Sequence, residues 1–147
     1  MSRTMQDKTP AATVARLETA RTALAHARCS LMDAELASLS ARFTLEKAET
    51  AHAAALLLAQ AAAEGANETQ RKAKAYEATA ADRDGVDAAR REWYFTEERL
   101  TRAKSYLRLA EDERRTAETL VNLWLAGLLP SGGQAEPFPA EDTELSF

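Results

Sequence analysis

Alanine recurs every seven residues at Ala20, Ala27, Ala34, Ala41, Ala48, Ala55 and Ala62, without an exception. Three residues ahead of each stands a second repeat, Leu17, Leu24, Leu31, Ser38, Leu45, His52 and Ala59. Paired positions repeating in sevens form the seam of a coiled coil, and a small residue at one of them lets two helix axes approach closely. The second half repeats the arrangement. Val86, Trp93, Leu100, Leu107, Arg114, Val121 and Leu128 form one series, and Ala89, Thr96, Ala103, Ala110, Ala117 and Trp124 the other.

The punctuation between the halves predicts where each helix runs. Thr9-Pro10 is a helix start, because Thr caps free amides and Pro at the first position gives up no bond that would have formed. No breaker follows until Gly65, after which Asn67 to Gln70 has the spacing of a capping box. The expectation is a helix over 10–64, a turn at 65–67 and a second helix over 67–129, folded into an antiparallel hairpin. The first helix would be about 80 Å long at ~1.5 Å per residue. Folding about Gly65 makes the numbers of facing residues sum to about 130. That sets Leu31 near Leu100, Leu24 near Leu107 and Leu17 near Arg114, with Glu18 placed to pair with Arg114. Asp82-Arg83-Asp84-Gly85 predicts a kink, and the polar stretch from Glu68 to Gly85 a weakly packed turn end.

Composition agrees with an all-α chain. There is no Ile, Val occurs only at positions 14, 86 and 121, and Ala supplies roughly a fifth of the 147 residues. Strands are disfavoured and helices favoured by that mixture. Residues 1–9 and 130–147 are expected to be disordered, the latter an acidic tail interrupted by Pro137 and Pro139. Glu136, Glu141, Asp142 and Glu144 carry the net charge of −4, so the rest is neutral. Neutrality argues against a nucleic-acid surface, which needs a basic excess. No apolar run approaches the ~20 residues of a membrane span, and Met1 to Pro10 has no apolar core of a signal, so the cytoplasm is the expected location. A lone Cys29 rules out an internal disulfide.

Signatures of catalysis are absent: there is no phosphate-binding Gly-rich loop, no Cys pair and no nucleophile elbow. His26, Cys29 and Asp33 share one helix face but make only half a metal site. Glu49-Thr-Ala-His52 has the Glu-x-x-His spacing of di-iron bundles, and in a dimer two such pairs could meet carboxylates contributed by Glu77 or Asp82 of the second helix. One polar layer in a coiled coil more often sets register, so no metal or cofactor is expected.

Two apolar surfaces lie outside the seam. Met32, Leu36, Leu39 and Phe43 recur at helical spacing on the side of the first helix that does not face the Ala repeat. Trp93, Tyr94 and Phe95 either wrap round to cover this stripe or a second hairpin packs there, giving a dimeric four-helix bundle. The second surface is the helix end containing Leu120, Leu123, Trp124, Leu125, Leu128 and Leu129, which has only polar residues to face. A patch of that kind marks an interaction site, with Trp124 as anchor. Phe147 closes the acidic tail, which over its last residues resembles the tip of bacterial single-strand-binding proteins, with Ser146 where that family has Pro.

The expected function is that of a non-catalytic scaffold or adaptor with protein partners, a homodimer without integral membrane association. In outline, two long antiparallel helices in a chain of this length are similar to the stalk proteins of type III and flagellar export ATPases. That resemblance implies a place inside an ATPase ring. A phage assembly factor, a membrane-surface helix inserting Leu120 to Leu129, and a di-iron bundle built on Glu49 and His52 are the alternatives.

Overall fold

The computed structural model describes residues 9–65 and 67–127, and all regular structure among them is helical. Three helices follow in order: α1 over Pro10–Ala62, α2 over Glu68–Ala78 and α3 over Ala80–Leu125. The expected tail and N-terminal residues 1–8 lie outside the described residues.

Local chemistry fixes the helix ends. The Thr9 hydroxyl accepts from the Ala12 amide at 3.2 Å, and the Thr9 carbonyl accepts from the Thr13 amide at 2.9 Å. Asn67 does the same for α2, its extended backbone (φ −142°) letting the side chain accept from the Gln70 amide at 2.9 Å. At the other end α3 stops at Leu125, and the expected end at Leu129 lies outside the described residues. Gly127 adopts φ +73°, and its amide donates to the Trp124 carbonyl at 2.9 Å, closing the helix with a left-handed residue that glycine tolerates best.

The irregularity in the second half also sits elsewhere than expected. Asp82 to Gly85 is regular helix within α3, and the break falls at Thr79 (φ −102°, ψ 18°). Thr79 is buried, and its hydroxyl donates to the Ala75 carbonyl at 3.0 Å, competing with the backbone ladder from inside the helix. Arg83 bridges the break, its guanidinium 3.3 Å from the Tyr76 ring centroid and donating to the Tyr76 carbonyl. Gly85, by contrast, has open space where a Cβ would stand. Gly85→Ala is therefore expected to raise stability by about 0.5–1 kcal/mol, read as a higher urea midpoint. A lower midpoint would contradict a helical path through this residue.

The described residues pack as two units. In one, the start of α1 through Leu24 packs with the end of α3 from Ala110. Leu17, Ala20 and the fully buried Ala117 form its core, with Val121 against them. Leu17 shares this cluster with Ala117, one turn along α3 from Arg114, and Arg114 bonds Glu118 on its own helix at 2.6 Å rather than Glu18. An i,i+4 partner on the same helix needs no particular register across the helix pair.

The link between helices in this unit is Arg16 to Glu113, held by two hydrogen bonds at 2.7 and 3.1 Å. The Arg16 hydrogen bond holds the Glu113 carboxyl below its ordinary range. A carboxyl depressed in the folded state stabilises at pH values above its unfolded pKa, and that contribution is lost as pH falls through the lower folded value. The pair is nearly half exposed, so the effect is small, on the order of 0.2–1 kcal/mol. Glu113→Gln should lower the urea midpoint relative to the unsubstituted protein at pH 7, and the difference should shrink as the pH falls below the ordinary carboxylate range.

The other unit spans Ala25–Leu109. Ala34, Ser38, Ala41 and Leu45 are its buried positions on α1, and Val86, Thr96 and Ala103 those on α3. Ser38 donates to Glu97 and Arg90 donates to Glu49, so in this unit α3 descends as α1 ascends. Ser38 meets a residue about one turn beyond the one that folding about Gly65 would bring opposite. The connection explains the shift. After Ala62 the chain runs beside α2, where a Cβ on Gly65 would lie 3.2 Å from the Gln70 Cβ, and Lys74 donates to the Glu64 carbonyl at 2.6 Å. The end of α1 is therefore level with the second turn of α2, whose one buried residue is Ala75.

Candidate interaction surface

Helical geometry places the buried positions of α1 along one line, since Ala34, Ser38, Ala41 and Leu45 follow the alternating four-and-three spacing of a single face. Met32, Leu36, Leu39 and Phe43 obey the same spacing roughly half a turn away. They are 61%, 63%, 64% and 68% exposed. Helix α1 is thus apolar on two opposite faces, one against α3 and one in solvent. A helix apolar on both sides is normally an interior helix, covered on both. Leu57, also exposed, continues the outer face toward the connector beyond Thr50 and Ala54.

The aromatic triplet of α3 divides. Trp93 is half-buried within its unit, its ring 5.3 Å from that of Tyr94 and its indole N–H buried without a partner. Tyr94 is exposed on the side of α3 away from Val86, Thr96 and Ala103. Phe95, also exposed, lines a groove of about 310 Å³ with Ala37, Ser40, Ala41 and Thr44 of α1. None of the three covers the Met32 to Phe43 face. Of the two expected arrangements, the one in which they wrap round to this stripe is not adopted: consecutive residues on a helix point about 100° apart, so a run of three does not present one face.

The open end of α3 is partly covered. Val121 packs on the core of its unit, Leu120, Leu123 and Trp124 are half-buried, and only Leu125 is largely exposed. Leu128, Leu129 and Phe147, expected to share this surface, lie outside the described residues.

No three His, Cys, Asp or Glu side chains converge among the described residues. Cys29 is an exposed free thiol beside His26 and Asp33. Glu49 accepts from Arg90 at 3.4 Å, and the His52 Nδ1 is buried without a hydrogen-bond partner. Glu49 and His52 are therefore not joined to Glu77 or Asp82 in a ligand cluster within the chain. At the start of α2, Lys72 bonds Glu68 at 2.6 Å and thereby lowers its carboxyl pKa, on a fully solvated surface. No described helix is long and apolar enough to cross a membrane.

Arg16 and Glu113 stand where folding about Gly65 sets them, whereas the Ser38 to Glu97 contact depends on a register shift that sequence reasoning missed. A polar Ser38 between Leu31 and Leu45 of the repeat was the available signal, because a buried hydroxyl requires a partner. No protein-family model, curated protein or solved structure matches the chain.

Proposed function

We propose that the chain is a non-catalytic scaffold or adaptor, an antiparallel coiled-coil hairpin that joins proteins through apolar helix faces and works as a homodimer. The supporting observation is the exposed row Met32, Leu36, Leu39 and Phe43 on a helix whose opposite face is already buried. Isolated exposed leucines are ordinary, but four large apolar side chains in one helical row form a contiguous patch of the kind that binds another helix. Adaptor work asks of a protein only rigid surfaces at fixed separation, which long capped helices supply.

The test is co-purification from native cells, comparing the full chain with a Leu36→Asp/Phe43→Asp variant whose helicity is checked by circular dichroism. Other proteins recovered with the full chain should be lost with the variant. Recovery of the same proteins with both would show that other proteins do not bind through this face.

A further inference from the structure

We infer that the outer face of α1 packs on the same face of a second copy, antiparallel, about a two-fold axis passing between Ala37 and Ser38. The inference deepens the proposed function by naming the occupant of this face, and it rests on reading the face as a contact surface. In the outer repeat, Leu36 and Phe43 occupy one core position and Met32 and Leu39 the other, and an antiparallel pair alternates these two across the seam. Reversal about the stated axis sets Leu36 opposite the partner's Leu39 and Met32 opposite the partner's Phe43. Symmetry repeats both contacts, giving four consecutive apolar layers. Every one of the four residues is more than 60% exposed in the single chain. Covering eight such side chains removes on the order of 1,000 Å² from water, near the lower bound for a specific interface before flanking contacts are added.

Charge complementarity selects this partner and this direction. Arg28, Glu35, Arg42 and Glu49 recur every seven residues along one flank of the row, alternating in sign, and all are exposed. The same axis brings Glu35 against the partner's Arg42 and Arg28 against the partner's Glu49, so all four flanking contacts of the dimer join opposite charges. On the other flank Asp33 faces the partner's Ser40 and Lys47 the partner's His26. A parallel pairing keeps one such match, Arg28 against the partner's Asp33, and loses the rest, because it sets Arg42 against the partner's Lys47 and Glu35 against the partner's Ser40. Arg42 and Glu49 already bond Glu46 at 3.2 Å and Arg90 at 3.4 Å, but in exposed pairs that exchange at little cost. Beyond the four layers Cys29 would face the partner's Glu46, which ends the apolar seam.

That last layer gives a direct test. In the antiparallel dimer two Cys29 residues stand about 25 Å apart along the axis at ~1.5 Å per residue, too far for a disulfide, whereas a parallel dimer places them in one layer. The full chain of 16.1 kDa should sediment at twice its mass at micromolar concentration and form no disulfide under mild oxidation. Glu46→Cys should then oxidise to a covalent dimer whose bridge, located by mass spectrometry, joins residue 29 to residue 46 of the other copy. Independently, Glu35→Arg should weaken dimerisation roughly tenfold, and Glu35→Arg with Arg42→Glu should restore it to within about threefold. A monomer, a bridge between two Cys29 residues, or no bridge in the Glu46→Cys chain would each overturn the inference. A monomer whose co-purifying proteins still depend on Leu36 and Phe43 would overturn the inference alone and leave the scaffold reading standing.

Discussion

Leu17→Ala is expected to lower the unfolding free energy by about 2–3 kcal/mol, measured by urea denaturation followed by helical circular dichroism. Leu17 is 8% exposed and is the largest side chain in a cluster whose other fully packed members are Ala20 and Ala117. Two alanines cannot move to fill the space that a leucine leaves, so the loss combines the transfer of three carbons back to water with an unrelieved gap. The helices are held by backbone hydrogen bonds along their length and collapse into that gap only in part. Because self-association would make stability depend on concentration, the two proteins must be compared at one concentration. A change under 0.5 kcal/mol would mean that Leu17 is not part of a packed core.

Ala117→Leu is the converse experiment, with an expected cost of about 1–3 kcal/mol. Ala117 has no exposed surface, and helix propensity barely distinguishes alanine from leucine, so the cost would be steric. Combining the two substitutions moves the large side chain from α1 to α3 at nearly constant volume. The double variant should lose at least 1 kcal/mol less than the two single changes together, since residues in contact are not additive. Additive losses would show that Leu17 and Ala117 do not share a contact.

Much of this packing was legible in the sequence because it depends on local periodicity. Ala20, Ala34 and Ala41 are buried at the seven-residue spacing, and Thr9 and Asn67 cap helices through side chains that reach only three residues along the chain. What failed depends on contacts between distant residues. Asp82 to Gly85 looked like a break on propensity, but a glycine costs a helix only about 1 kcal/mol, which neighbouring packing overrides. Thr79 stood out only as one polar residue of the weakly packed stretch from Glu68 to Gly85, and its effect appears once burial turns the hydroxyl onto the Ala75 carbonyl. The offset between α1 and α3 within the Ala25–Leu109 unit was hidden because it follows from how residues 63–65 run along α2, and no heptad count reports the path of a connection. The outer row of α1 was visible as a second apolar periodicity, and its exposure in the single chain is what the structure adds.

The Lys74 to Glu64 contact spans ten residues, Ser38 to Glu97 spans 59 and Arg16 to Glu113 spans 97. Closing a loop costs more entropy the longer it is, so contacts near the connector are the cheapest to form first, and each that forms shortens the loop left to close for the next. Yet the connector end is where α2 buries a single alanine. Early folding would thus run through the part of the molecule with the least to gain from it, and the well-packed end would join after the rate-limiting step. Substitutions at Leu17 and Ala117 should then leave the folding rate nearly unchanged and appear almost wholly as faster unfolding. The open end would govern how long the folded protein lasts, and the connector how quickly it forms.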